Sequence, residues 1–138
     1  MVDRVPLKGT VPYLFAVRAE PLMEWYQRVF GFEPHSQWSD DDGVVQNADM
    51  RVGDTEVWID GGNDGYWDSR GGRADQWIGV WVDDPDAMYA QVRAAGVACD
   101  PPVDEPYGVR MLKVTDPEGY QWGFLCRIDE VPFPPDPT

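Results

Sequence analysis

The order of predicted secondary-structure elements occurs twice along the chain, and this repeat limits the fold more than any other feature. In the first half, residues 11–17 form an apolar run with β-branched and aromatic members, which predicts a buried strand. Residues 20–30 repeat apolar side chains at helical spacing before Gly31, which predicts a helix and its end. Runs separated by turn residues then predict three strands, at residues 32–38, 44–52 and 55–60.

The second half repeats the same order. Residues 76–82 predict a strand, and Asp84-Pro-Asp opens a helix with a capping carboxylate and a proline in its first turn. Three further strands are predicted at residues 97–103, 109–114 and 120–128, with a turn at residues 116–119. The chain is therefore predicted to be an α+β protein with two tandem βαβββ modules, at residues 10–60 and 76–128.

The segments outside the modules have a different composition. Residues 61–75 are rich in glycine and predict a flexible connection, although Tyr66 and Trp67 lie in its middle. Residues 129–138 form an acidic tail with four prolines, which predicts an extended or disordered segment.

Charge and cysteine content exclude several classes of function. A net charge of −14 over 138 residues disfavours nucleic acids and anionic membranes, whose phosphates would be repelled. It is compatible either with plain solubility or with attraction of cationic small molecules. The sequence has neither a long apolar run nor an export signal, so a cytoplasmic protein is expected, with Cys99 and Cys126 as reduced thiols.

Several motifs resemble the vicinal-oxygen-chelate superfamily of glyoxalases, bleomycin-resistance proteins and dioxygenases. They are residues 13–17 (YLFAV), 25–32 (WYQRVFGF), 47–54 (NADMRVGD), 81–86 (WVDDPD), 107–110 (YGVR) and 115–122 (TDPEGYQW). The resemblance implies two βαβββ modules whose sheets curl around a cleft. It also implies a homodimer in which both chains line each cleft.

Metal enzymes of this superfamily hold an ion with four inward-facing His, Gln or Glu side chains. By the resemblance, those positions fall on Pro12, Trp58, Trp77 and Gly123, none of which is a good ligand. The nearest alternative donors are Glu56, Gln76 and Gln121. With His35 as the one histidine in the chain, we expect no metal and no other cofactor.

The tryptophans provide a different candidate site. Seven tryptophans are present, and Trp25 and Trp122 are predicted to fill the core. Strand alternation places Trp77, Gly79 and Trp81 opposite the β-branched core positions, so this face is predicted to line the cleft with a slot for a flat ring. The other predicted aromatic ligand-binding residues are Trp58, Trp38, and Tyr66 and Trp67 on the connection.

Polar side chains are expected around these rings. Asn47 and Asp49 share a strand face directed toward the cleft, where a carboxylate could steer a cation onto an indole. Arg110 could hold an anionic group or serve as scaffolding through Asp116 or Glu118.

The resulting hypothesis is a metal-free protein that sequesters a hydrophobic, aromatic compound, as bleomycin-resistance proteins do. A positive charge on that compound is left open. The first alternative is a lyase, isomerase or dioxygenase with non-standard ligands, and the second is a dimerising scaffold. No Ser/His/Asp or Cys/His set can be assembled around a single histidine, so the binding hypothesis is preferred over the catalytic one.

Overall fold

The first half of the chain folds into a four-stranded sheet with one helix against it. The computed structural model describes residues 4–69, 71 and 76–128. Its first elements are β1 (Tyr13–Phe15), α1 (Ala19–Trp25), β2 (Glu33–Ser39), β3 (Val45–Val52) and β4 (Thr55–Asp60). The spatial order is β1-β4-β3-β2, in which β1 runs parallel to β4 and the other neighbours are antiparallel.

The second half repeats this topology. After α2 (Tyr66–Ser69), a single helical turn, come β5 (Trp77–Trp81), α3 (Pro85–Ala94), β6 (Val103–Glu105), β7 (Val109–Thr115) and β8 (Gln121–Arg127). The order is β5-β8-β7-β6, again with the first and last strands of the set parallel. The α+β fold with two βαβββ sets is therefore confirmed.

The helix ends follow the local signals in the sequence. The Asp84 carboxylate accepts hydrogen bonds from the backbone N–H groups of Asp86 and Ala87, at 3.0 and 3.1 Å, and Pro85 is the first residue of α3. Gly31 ends the first helix in a left-handed conformation, with φ of 78°. Such a φ favours glycine because other residues place a Cβ against the backbone.

Three elements of the structure differ in detail from the predicted ones. The first strand is shorter than residues 11–17, and the last turn of the first helix, Tyr26–Phe30, is π-helical. The strand predicted at residues 97–103 begins only at Val103. Pro101 and Pro102 directly precede Val103 and have no N–H to donate to a neighbouring strand, which accounts for the late start. The tail at residues 129–138 lies outside the described residues.

A single core joins the two halves. The Phe30 ring at the end of the first helix lies 4.8 Å from the Phe124 ring of β8, and Tyr26 lies 5.4 Å from Trp122, between ring centroids. Side chains of both sheets, α1 and α3 belong to the same cluster. The predicted core position of Trp122 is confirmed, and Trp25 packs half-buried against the cluster.

A buried carboxylate reinforces this junction. Asp116 Oδ2 accepts hydrogen bonds from the Tyr26 hydroxyl at 2.5 Å and from Trp122 Nε1 at 2.9 Å. Asp116 Oδ1 accepts from the backbone N–H groups of Glu118 and Tyr120 at 2.9 and 3.0 Å. Burial raises the pKa of Asp116 despite these four donors, and burial followed by the Asp116 charge raises the pKa of Tyr26. The turn at residues 116–119 thus fastens the second sheet to the first helix.

Two smaller expectations concern the chain as a whole. Cys99 and Cys126 are free thiols, as predicted. Among the described residues, the helices are all too short or too polar to cross a lipid bilayer.

Candidate functional site

Both sheets turn one face to their helix and leave the other face open. On the first sheet, Leu14, Met50 and Ile59 point into the core. Their neighbours along the strands point the opposite way because side chains alternate. The first open face is defined here by Tyr13, Asn47, Asp49 and Trp58, of which Tyr13, Trp58 and Asp49 are direct cross-strand neighbours.

A groove of about 450 Å³ lies on the first open face. Three aromatic rings line it, those of Tyr13, Trp38 and Trp58, and the Tyr13 and Trp58 centroids are 5.9 Å apart in an edge-to-face arrangement. Trp38 and Trp58 remain 62% and 42% exposed, and with Tyr13 they form an exposed aromatic patch of the kind that marks binding surfaces. The groove also contains Asn47 and Asp49, so all four predicted site residues of the first sheet are brought together.

Asp49 is the best-organised polar group in the groove. It accepts hydrogen bonds from the Ser36 hydroxyl and from His35 Nδ1, the latter at 2.9 Å. These bonds, first from Ser36 and then from His35, lower the pKa of Asp49. The Asp49 side chain is only 14% exposed, and its carboxylate already has hydrogen-bond partners within the protein.

A chain of polar contacts continues from His35 to Trp58. His35 Nε2 lies 3.4 Å from Arg51 Nη2, and Arg51 Nη1 lies 3.5 Å from Glu56 Oε2. The other oxygen of Glu56 accepts a hydrogen bond from Trp58 Nε1 at 3.2 Å. Because a guanidinium only donates, Nε2 acts as the acceptor in this arrangement and Nδ1 carries the proton shared with Asp49. The carboxylates of the groove are therefore paired within the protein.

The polar side chains of the groove bond mainly to one another. Ser36 donates to Asp49 and not to His35, so His35 has no hydroxyl to activate. Over the described part of the chain, no three His, Cys, Asp or Glu side chains converge in a way that could hold a metal ion. Trp58, Trp77 and Gly123, which the family resemblance aligns with metal-ligand positions, lie on open faces without ligand atoms. These residues do not fit the metal of the related enzymes.

The second open face is defined by Trp77, Gly79, Trp81 and Lys113. Ile78, Val80 and Val82 pack against the core, whereas Trp77 and Trp81 are 52% and 61% exposed, as the strand alternation predicts. Gly79 is the direct neighbour of Gly123 on β8. The Leu125 side chain lies 3.6 Å from where a Cβ of Gly79 would be, so an aliphatic side chain borders the space between the two indoles.

The chain places its own cations on these indoles. Lys113 Nζ lies 5.6 Å from the Trp77 ring centroid, and Arg127 Cζ lies 5.1 Å from that of Trp81. Lys113 also pairs with Glu105 at 3.4 Å. A second, more open cavity of about 660 Å³ adjoins Trp81 and Arg127. Each of the two exposed tryptophans of this sheet therefore has a basic side chain over its ring.

The remaining predicted site residues lie elsewhere. Trp67 packs half-buried against the core, edge-on to Tyr120 at 5.9 Å, and its Nε1 donates to Glu118, so it does not close over the groove. Tyr66 is the first residue of α2, and its side chain is not among those that the structure describes. Arg110 donates two hydrogen bonds to Asp86 on α3 and one to Asp104, and these contacts raise the pKa of Arg110. Arg110 therefore links α3 to the second sheet and has a structural role.

The single cleft expected to contain Trp58, Trp77 and Trp81 is not formed within the described residues. Trp58 lines the groove of the first sheet, and Trp81 lines the cavity of the second. The two open faces are separate because the helices and the shared core, to which both sheets contribute, occupy the side where the sheets meet. One chain therefore presents two separate open faces, each with its own cavity.

Tyr13, His35 and Ser36 are among the groove residues that were not predicted as site residues. Tyr13 was assigned only to a buried strand, although its pairing with Trp58 across the parallel β1 and β4 strands places it on the open face. His35 and Ser36 lie where β2 shifts register between Pro34 and Ser36. Such a bulge inserts a residue that simple alternation cannot place.

Comparison with known proteins identifies this architecture. The model of the Glyoxalase/Bleomycin resistance protein/Dioxygenase superfamily matches residues 11–124. The structure of TioX from Micromonospora sp. ML1 is 30% identical in sequence, with 87% of this chain and 98% of that chain covered and a TM-score of 0.72.

Two further structures extend the comparison. The bleomycin-binding protein from bleomycin-producing Streptomyces verticillus, complexed with copper(II)-bleomycin, is 25% identical over 92% of this chain and 100% of that chain, with a TM-score of 0.66. Lactoylglutathione lyase from Agrobacterium tumefaciens is 17% identical over 88% of this chain and 95% of that chain, with a TM-score of 0.67, and shares the fold alone. None of the curated proteins compared with the chain matches it significantly.

Proposed function

The chain belongs to the Glyoxalase/Bleomycin resistance protein/Dioxygenase superfamily, and we propose that it is a metal-free binding protein that sequesters an aromatic small molecule. The observation that carries this proposal is the groove lined by Tyr13, Trp38 and Trp58. Exposed indoles beside a satisfied polar network can stack on a flat ring, and each aromatic pair adds about 0.5–1.5 kcal/mol beyond the area it buries. The biological role that follows is antibiotic resistance or self-protection in the cytoplasm.

The relatives support this assignment. The bleomycin-binding protein of Streptomyces verticillus holds an antibiotic in its complex with copper(II)-bleomycin, and the present chain aligns with its full length. A metal-dependent lyase, isomerase or dioxygenase is the alternative within the same superfamily. The groove offers such an enzyme His35, Asp49 and Glu56, but their hydrogen bonds and ion pairs are made within the protein.

A homodimer would complete the binding site. One chain has two open faces with exposed tryptophans, and large exposed aromatic surfaces are commonly covered by a partner or a ligand. The first open face carries Trp58, and the second carries Trp77 and Trp81. Apposition of the first open face of one protomer and the second open face of its partner would cover these indoles and form two clefts per dimer.

The ligand need not be a cation. A cationic antibiotic was one expectation from the acidic composition, yet Asp49 is saturated by Ser36 and His35, and Glu56 is paired with Arg51. A ligand cation would have to replace these partners. The proposal therefore rests on aromatic stacking and not on charge attraction.

Titration of the protein with bleomycin, intercalating antibiotics and glycopeptide antibiotics, followed by calorimetry and tryptophan fluorescence, tests the proposal. For any compound that binds, Trp58→Ala is expected to weaken affinity by about 10- to 100-fold, since a buried aromatic contact of this kind contributes about 1.4–3 kcal/mol. Trp58→Phe keeps a ring and should restore most of the loss. The proposal is wrong if a host expressing the protein gains no resistance to any compound of the panel and none binds.

Subunit mixing tests the shared cleft. In a dimer with cross-chain clefts, the Trp58→Ala and Trp81→Ala homodimers each have two damaged clefts. The mixed dimer has one cleft with both changes and one with neither. An isolated mixed dimer should therefore bind tightly at half the wild-type stoichiometry, and an equal mixture with free subunit exchange, in which about half of the dimers are mixed, at about one quarter. Mixed samples that bind no better than the separate variants would refute the cross-chain arrangement.

A further inference from the structure

We propose that the second open face recognises an anionic group on an aromatic ligand, with the ring stacked on Trp81 and the anion paired with the guanidinium of Arg127. This inference rests on the proposed binding function and names the chemical class of its ligand. The class is an aromatic carboxylate or an equivalent planar acid.

The geometry of the pair carries the proposal. Arg127 Cζ lies 5.1 Å from the centroid of the Trp81 ring, on an indole that is 61% exposed. Both residues line the same open cavity at the ends of β5 and β8, so one face of a ligand can touch the indole while its substituent reaches the guanidinium. A guanidinium presents a planar fork of donors that matches the two oxygens of a carboxylate.

Arg127 differs from the arginines that serve the scaffold. Arg110 is held by Asp86 and Asp104, and Arg18 by Asp64, each with an N–O distance of 2.8 Å. Within residues 4–69, 71 and 76–128, the ion pairs do not include Arg127, although Asp83 lines the same cavity. Its charge is thus directed at the ring of Trp81 and at the cavity beside it.

The same geometry disfavours a cationic ligand at this position. A cation stacked on Trp81 would approach Arg127 within a few ångströms and be repelled, in addition to competing for the indole face. The neighbouring indole has a similar partner in Lys113, which lies over Trp77. On this sheet, both exposed indoles already have the positive charge that a cationic ligand would bring.

Three probes with one ring system test the inference: 2-naphthoate, the neutral alcohol 2-naphthalenemethanol and 2-naphthylmethylammonium. Their affinities are measured by NMR titration of the tryptophan indole N–H signals at low and high salt. We expect 2-naphthoate to bind about tenfold more tightly than the ammonium probe, because an exposed carboxylate–guanidinium pair is worth up to about fivefold in affinity and the ammonium probe is repelled in addition. Added salt should reduce this preference.

Variants separate the charge from the ring. Arg127→Gln should abolish the preference for 2-naphthoate and leave the alcohol within about twofold of its wild-type affinity, whereas Trp81→Ala should weaken all three probes. Arg93→Gln is the matched control, since it removes the same charge from an exposed position on α3 and should change nothing. An equal loss for the alcohol and 2-naphthoate in Arg127→Gln, or tighter binding of the ammonium probe, would overturn the inference.

These results can be distinguished from a failure of the proposed function. The same titrations with the Trp58→Ala variant report on the second open face after the groove has been damaged. If antibiotics bind through Trp58 but the ammonium probe is preferred, only the ligand class is wrong. If the naphthoate preference depends on Arg127 while no antibiotic binds, the second open face is a site for planar acids, and the proposed antibiotic sequestration through Trp58 is wrong.

Discussion

The Asp116 cluster offers the most direct test of how the two halves are held together, through the substitution Asp116→Asn. The carboxylate accepts four hydrogen bonds, two at each oxygen. An amide has one oxygen, so the variant turns an N–H group toward two donors whichever way it is oriented. Either the Tyr26 hydroxyl and Trp122 Nε1 or two backbone N–H groups then lose their acceptor.

The expected cost follows from that count. Each buried donor without a partner costs about 1–3 kcal/mol, which gives about 2–6 kcal/mol for two. Part of this loss of stability is offset because the variant does not bury a charge. The raised pKa of Asp116 shows that burial of this charge is unfavourable. We therefore expect the free energy of unfolding to fall by about 2–4 kcal/mol, measured by urea denaturation with tryptophan fluorescence.

Asp84→Asn is the matched control. Asp84 also accepts two backbone hydrogen bonds, but both go to its Oδ1, so an amide can keep them. Asn and Asp are nearly equivalent at a helix N-cap, and this variant should stay within about 0.5 kcal/mol of the wild type. If Asp116→Asn proves as stable as Asp84→Asn, the carboxylate is not the link between the halves.

Two further predictions concern backbone contact and charge. Gly61→Ala should destabilise by about 1–3 kcal/mol in urea denaturation, because its Cβ would lie 2.6 Å from a backbone oxygen of β3. Gly123→Ala should cost less than about 1 kcal/mol, since its Cβ meets only the flexible Met111 side chain at 2.9 Å, and equal losses would contradict the argument. The lowered pKa of Asp49 means that its contribution to stability is present above the unfolded pKa of about 3.9 and is lost as pH falls through the lower folded value. The stability gap between wild type and Asp49→Asn should therefore narrow on acidification, and a constant gap would count against the pairing of Asp49 with Ser36.

Local patterns in the sequence predicted the elements and the directions of their side chains. The alternation around Gly79 correctly separated Trp77 and Trp81 from Ile78 and Val80, because a strand has a fixed period of two. The capping signal at Asp84 fixed the start of α3 for a similarly local reason. These features depend on a few neighbouring residues, so they can be read without knowledge of the fold.

The arrangement of the site could not be read in the same way. Whether Trp58 and Trp81 share one cleft depends on which side of each sheet meets the other half, and that is decided by long-range packing of Phe30 against Phe124 and by the Asp116 cluster. His35 was weighed only as a metal ligand and set aside as a lone histidine, and the register shift in β2 also breaks the alternation that would place it on the groove face. A bulge and a tertiary junction are both invisible to local periodicity.

Net charge is a poor guide to the ligand for a related physical reason. A net charge of −14 attracts cations to the protein as a whole. At physiological ionic strength, however, the field of each charge is screened over about 8 Å. Arg127 lies 5.1 Å from the ring of Trp81, well inside that length, whereas carboxylates on the far side of the sheet contribute little. A ligand held against this indole therefore lies close to the guanidinium, with Asp83 in the same cavity, and the rest of the acidic surface acts mainly on solubility and on the approach of the ligand.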